Sequence, residues 1–484
     1  MDQTRITMKF KALVSGILLL LAIWITACDP AGSKESQESS PNVIYILADD
    51  LGYGDLGCYG QKHFRTPGID RLAEEGMRFT DHYAGSTVCA PSRAVLMTGI
   101  HTGHNHIRGN ARLPLPDSVF TVAELFRKAG YATGAFGKWG LGLEGTEGVA
   151  YRQGFDEFFG FYHQGLAHRY YPSSLWRNDV EVRLDNDTAL REYAADLMHA
   201  ESLEFIRKHQ DEPFFLYIPC IIPHAELIAP EDSLLEKNRG KFLPEKVYEG
   251  NDYFTDAYRP NGYGSQEESH AVFAAMVQRL DRYVVEIMEL LEELGLEDHT
   301  IVMFSSDNGP HAEGGADPSY FGSSGPLTGI KRDFYEGGIR VPFIVRWPGV
   351  VEPGSESDHV SGFQDMLPTF SDLVGVETGQ PVDGISMLPL LTGKGKQDKH
   401  EYLYWEFHEQ QGKQAIRQGK WKAVKLKVGS GPDTPVELYD LTADISESND
   451  VASEHPDKVE QMKQLFREAR TPSEQFRFEY EKTK

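Results

Sequence analysis

The chain has 484 residues, and 73 acidic against 48 basic side chains give it a formal charge of −25. That length is enough to bury a large core in two domains, or in one domain with an appendage. The acidity excludes nucleic acid as a partner, and any small anion must be drawn in by a local basic pocket rather than by the overall field.

Arg5, Lys9 and Lys11 precede an apolar run from about Ala12 to Ile25, too short for a membrane span, which ends in Ile25-Thr26-Ala27-Cys28. This pattern looks like a bacterial lipobox. It predicts a signal peptide over residues 1–28, cleavage before Cys28 and lipidation of that cysteine. The mature protein is then expected to be an exported lipoprotein, anchored to a membrane in the periplasm or at the cell surface. Residues 29–40 are polar and poor in apolar side chains, and read as a disordered tether.

Val43 to Leu47 is a short apolar run that suits a strand buried on both faces, and it ends directly in Asp49-Asp50. Cys89-Ala90-Pro91-Ser92-Arg93 opens a predicted helix that stops near Thr98-Gly99. A side chain at a helix start faces free N–H groups and the positive end of the dipole, both of which favour anions. Arg93 adds a planar cation suited to a tetrahedral oxyanion. Thr121 and Glu124 form a capping box for a further helix. Tyr131 to Phe136 reads as a strand, with Lys138 just past its end.

Phe214 to Ile218 is another buried strand, followed by His224. Apolar residues at helical spacing predict a helix over Ser269–Leu294 with Gly295 as its stop. Ile301 to Phe304 then repeats the earlier pattern and runs into Asp307-Asn308. Helix followed by buried strand is the rhythm of a parallel α/β sheet, whose ligands gather at the carboxyl ends of the strands. Asp49, Asp50, Asp307 and Asn308 would offer hard oxygen ligands there, suited to Ca²⁺ or Mg²⁺. After about Gly375 four short strand candidates and a helix near 456–469 predict an antiparallel sheet. The four cysteines include Cys58 and Cys220, which could pair in an exported protein and are left unpaired here.

The Cys-x-Pro-Ser-Arg signature at Cys89, the two strand-end acid pairs and the Gly137-Lys138-Trp139 segment together resemble the formylglycine-dependent sulfatases, members of the alkaline phosphatase superfamily, over about Pro41 to Arg470. The resemblance implies a mixed, largely parallel sheet flanked by helices over 41–375, and a smaller antiparallel sheet plus helix over 376–484. It implies that Cys89 is oxidised to formylglycine by a maturation enzyme. It places a divalent cation, calcium or magnesium, on Asp49, Asp50, Asp307, Asn308 and the modified residue 89. Arg93, Lys138 and Lys331 are then the sulfate-binding cations, and His224 protonates the leaving alcohol. Arg340 is expected to brace its loop. Gly140 departs from the family, which has a histidine there; His101 and His104 are the nearby histidines, and neither is assigned to replace it.

The stretch from Gly160 to Pro172 is rich in aromatic and polar residues, so it reads equally as loop packing or as a sugar subsite, with His168 and Arg169 the candidate contacts. The expected partner is a sulfated carbohydrate; the segment is similar to bacterial exo-sulfatases acting on galacto-configured sugars, which implies such a sugar with its sulfate at O4. Two alternatives stand beside a sulfatase. One is a phosphodiester or phosphonate hydrolase of the same superfamily. The other is an inactive glycan-binding lipoprotein, which Gly140 favours.

Overall fold

Every residue of the strand Asn42–Ala48 is buried, because a layer of helices covers each face of the sheet it centres. Alternation along the strand divides its side chains between two cores. Ile44, Ile46 and Ala48 join one core with Val272, Met276 and Leu280 of the helix Ser269–Glu293. Val43, Tyr45 and Leu47 join the other with Ala94, Val95, Phe126 and Phe370. The computed structural model describes residues 40–186, 189–251 and 262–482. The expected signal peptide, Cys28 and nearly all of the tether lie outside the described residues.

Among the described residues the main sheet has ten strands. Its centre is five parallel strands in the order Thr300–Ser306, Asn42–Ala48, Phe214–Pro219, Ala132–Lys138, Glu157–Phe161. Phe343–Arg346 adds antiparallel at one side and Ser174–Arg177 at the other. The strands predicted from apolar runs are all present, as are the capping box of Thr121 and Glu124 and the helix Cys89–Thr98. One end differs. The strand expected to stop at Phe136 continues through Lys138. Gly137 permits this: a Cβ there would stand 2.0 Å from the Pro219 carbonyl oxygen, so only glycine lets the neighbouring strands run on side by side.

The second sheet has four antiparallel strands in chain order, Leu403–Phe407, Lys413–Gln418, Trp421–Leu426 and Val436–Asp440. Met462, Leu465 and Phe466 of the helix Pro456–Glu468 cover one face. The other face packs Leu403, Trp405 and Val424 against Tyr83, Val88, Phe334 and Ile339. Val88 is the residue before Cys89, so this contact helps to fix where that helix begins.

Glu406 ties the small sheet to the main body. It accepts from Arg108 Nη1 at 3.0 Å, Arg470 Nε at 2.9 Å and Tyr404 Oη at 2.7 Å, with His408 Nε2 at 3.0 Å. Burial alone would raise its pKa, but the His408 contact and the Arg470 and Arg108 charges outweigh it and hold the carboxyl at about 2, below the ordinary 4.5. A depressed carboxyl stabilises the fold above its unfolded pKa, and that contribution fades as pH falls from 4.5 toward 2. Glu406→Gln leaves buried guanidinium charge uncompensated, and should cost about 3–5 kcal/mol near neutrality. The gap in melting temperature between wild type and variant should narrow on acidification to about pH 3; a gap independent of pH would show that the carboxylate charge is not what matters.

Candidate active site

The carboxyl ends of adjacent parallel strands bring the polar side chains together. Asp49 and Asp50 follow Asn42–Ala48, Asp307 and Asn308 follow Thr300–Ser306, Lys138 ends Ala132–Lys138, and His224 lies beyond Phe214–Pro219. Asp50 has φ +62°, a left-handed conformation that is strained for a residue with a side chain. Two bonds hold it there: Asp50 N–H donates to Asp307 Oδ1 at 3.1 Å, and Leu51 N–H to Ser306 Oγ at 2.9 Å. The turn therefore depends on the neighbouring strand end.

Cys89 is the first residue of its helix and is buried. Its Sγ is 3.4 Å from Asp49 Oδ1 and 4.0 Å from Asp50 Oδ1. Burial pushes the thiol well above its ordinary pKa, Asp307 and Asp49 add to the effect, and Lys138 and Lys331 oppose it. The thiolate is disfavoured in this setting. Next to it, Asn110 Oδ1 accepts from Ala90 N–H at 3.1 Å.

The three cations expected around a sulfate each hold a carboxylate. Arg93 donates to Asp307 Oδ2 through Nε at 3.0 Å and Nη2 at 2.7 Å, while its Nη1 reaches the Lys138 carbonyl at 2.6 Å. Lys138 Nζ lies 2.8 Å from Asp49 Oδ2, and Lys331 Nζ 2.7 Å from Asp50 Oδ2. All six side chains are buried. Burial alone would lower the pKa of each cation, but the acids outweigh it and hold all three above their ordinary values. Burial and Asp49 raise the pKa of Asp307, against Arg93.

The donor chemistry fits a divalent cation. Ligand atoms of Asp49, Asp50, Cys89 and His224 lie within 4.8 Å of one another. Asn308 donates to Asp50 Oδ1 at 2.7 Å, yet its own buried Oδ1 has no hydrogen-bond partner among the described residues. Converging carboxylates with an unsatisfied amide oxygen are what a hard cation requires.

His224 is the middle ring of three parallel imidazoles, with His168 at 4.1 Å and His311 at 5.4 Å between centroids. Its Nδ1 bonds the Ala225 carbonyl, which leaves Nε2 to accept from Lys331 Nζ at 2.9 Å. Burial and Lys331 push its pKa well below the ordinary value. Burial likewise lowers His168 and His311. Glu313 carries the opposite charge: its Oε2 is 3.8 Å from Lys331 Nζ and accepts from Tyr263 Oη at 2.9 Å, and it pairs with Arg332. His311 and Glu313 were missed in the sequence. Their signal was position, four and six residues past a strand-end aspartate.

Other candidates lie elsewhere. His104 Nδ1 contacts Asp383 at 2.9 Å, and the His101 ring stacks on His104, beyond the far end of the Cys89 helix. Neither replaces the missing histidine. Cys58 and Cys220 are free thiols. Arg340 braces its loop through Thr80, Asp81 and Glu336. His168 lines a cleft beside Gly140, and Arg169 does not.

A model of the sulfatase family matches residues 41–376, and one described as N-sulphoglucosamine sulphohydrolase, C-terminal, matches residues 330–472. The N-acetylgalactosamine-6-O-sulfatase of Bacteroides thetaiotaomicron is 30% identical over 95% of this chain and 98% of its own length. Arylsulfatase A of Homo sapiens is 32% identical, with 88% and 87% covered. Among solved structures, Ps i-CgsB aligns with a TM-score of 0.73 at 29% identity, covering 89% of this chain and 93% of that one. The phosphonate monoester hydrolase of Agrobacterium radiobacter, at 20% identity and a TM-score of 0.62 over 89% and 95%, shares the fold. With strand-end carboxylates, a helix-start cysteine and buried cations in one cluster, this chain belongs to the sulfatase family of the alkaline phosphatase superfamily and hydrolyses sulfate esters.

Proposed function

We propose that the enzyme desulfates a galacto-configured sugar of a glycan, with residue 89 as the nucleophile. The carrying observation is the cluster of Cys89 with the three carboxylates and their three cations. The galacto preference is supported by the relative named as an N-acetylgalactosamine-6-O-sulfatase, which points to O6 rather than the O4 position expected from the sequence. A glycan substrate is also supported by the solved complex of Ps i-CgsB with a neocarrahexaose.

Asp49, Asp50, Asp307, Asn308 and residue 89 would hold a calcium ion, which when bound supplies charge that favours the ionised nucleophile. Formylglycine at residue 89 would supply an aldehyde hydrate where a thiol is held protonated. The chain's own charges fit an anionic ester: three carboxylates balance Arg93, Lys138 and Lys331, so a divalent cation leaves the pocket positive within a chain of net charge −25. Arg93 is fixed at both ends of its guanidinium, and its rigidity suits charge developing on the sulfuryl oxygens. The proton for the leaving oxygen is held between Lys331 Nζ and His224 Nε2, 2.9 Å apart. The bond from Nδ1 to Ala225 keeps Nε2 turned toward that task. Export and anchoring through Cys28 remain part of the proposal, supported by the lipobox alone.

Two measurements test this reading. Cys89→Ala should abolish turnover of a sulfated sugar without lowering the melting temperature appreciably, and the peptide carrying residue 89 should have the mass of formylglycine after expression with a maturation enzyme. Near-wild-type rates in the variant, or higher activity on a phosphonate monoester than on any sulfate ester, would reject the assignment. For the metal, Asn308→Ala is cleaner than Asp307→Ala, because Asp307 also holds Arg93. Calcium titrated into chelator-treated Asn308→Ala protein should bind at least about tenfold more weakly than to wild type. Unchanged affinity would remove the amide from the site.

A further inference from the structure

Beside Gly140 lies a cleft of about 280 Å³, lined among others by Asn110, Arg112, His163, Gln164 and His168. This is close to the lower end of the range for small-ligand sites, about 300 Å³, and suits one sugar unit. The cleft adjoins the reaction centre on two sides. The Asn110 side chain bonds Ala90 N–H, next to Cys89, and the His168 ring stacks on His224.

Gln164 belongs to this wall. Gly140 has φ +80°, and a Cβ there would meet Gln164 Cγ at 3.2 Å and Nε2 at 3.3 Å. The glutamine side chain therefore lies across the space that a side chain at 140 would use. Its Nε2 is shielded from solvent and has no hydrogen-bond partner among the described residues. A buried donor left unpaired is unfavourable, and such groups are satisfied by an ordered water, an ion or a ligand.

We propose that Gln164 is a specificity-determining residue, whose side-chain amide turns from Gly140 into the cleft and donates from Nε2 to an oxygen of the sugar ring or its hydroxyls when the glycan is bound. The inference rests on the glycan reading above and deepens it by naming the donor. An amide discriminates well here: a substrate that offers an acceptor satisfies it, whereas an aryl ring leaves it unpaired. Arg112, exposed at the same cleft, adds positive charge where an anionic glycan would enter.

Gln164→Leu keeps the side-chain shape against Gly140 and removes the donor. Its effect is read as the ratio of kcat/KM for N-acetylgalactosamine 6-sulfate or galactose 4-sulfate, whichever the wild type turns over faster, to kcat/KM for 4-methylumbelliferyl sulfate. The ratio should fall about tenfold, the value of one neutral hydrogen bond. In a Cys89→Ala background, titration of the same sulfated sugar should give a Kd about tenfold higher with Gln164→Leu. An unchanged ratio and Kd would overturn the proposal, and so would equal losses on both substrates, which would place Gln164 at the nucleophile instead. A wild type that cleaves the aryl sulfate and neither sugar refutes the glycan reading by itself, before any variant is made.

Discussion

Asp49, Asp50 and Asp307 against Lys138, Lys331 and Arg93 form the interaction on which the rest of the site depends. Six ionised side chains without access to water are tolerable only because each finds its counter-charge within hydrogen-bond distance. The pairs cross between elements: each strand-end acid is held by a cation from a different segment. Removing any one member leaves an unbalanced charge inside the protein, so the cluster fixes the relative positions of the strand ends as well as the chemistry. The strained Asp50 backbone belongs to the same arrangement, since its N–H is anchored on Asp307.

Packing outside the cluster serves to aim it. The central strand is clamped between two helix layers, which stops the Asp49-Asp50 turn from shifting along the sheet. The small antiparallel sheet presses on Val88 and, through Trp405 Nε1 to the Ala84 carbonyl at 2.9 Å, on the segment leading to Cys89. The side chains proposed to act in catalysis come from one part of the chain and are thus oriented by another part that supplies none of them.

Much of this could be read from sequence where local chemistry is strong. Runs such as Val43 to Leu47 end in acids with no intervening loop, and a parallel sheet forces such ends onto one rim. The Cys89 helix declares itself by its glycine stop. The short strands Met77–Phe79 and Ser355–Ser357, at one side of the sheet, were not legible, because three residues carry no periodicity and pair only once the larger sheet exists. Gln164 was invisible for a related reason: its significance lies in an unsatisfied donor and an approach to Gly140, neither of which has a sequence pattern. His311 and Glu313 lie four and six residues past Asp307, on the same rim. The pairing of the cations with acids, rather than an open ring around an anion, follows from burial that composition does not reveal.

The left-handed backbone at Gly140 has a mutational consequence. Any single replacement there would have to bear a torsional strain, and its Cβ would come 3.2 Å from Gln164 Cγ, which would have to give by a few tenths of an ångström. Shortening the residue at 164 would relieve the contact but not the torsional strain. The cost of a side chain at 140 is therefore expected to depend on which residue stands at 164, a coupling that a double-mutant cycle would read.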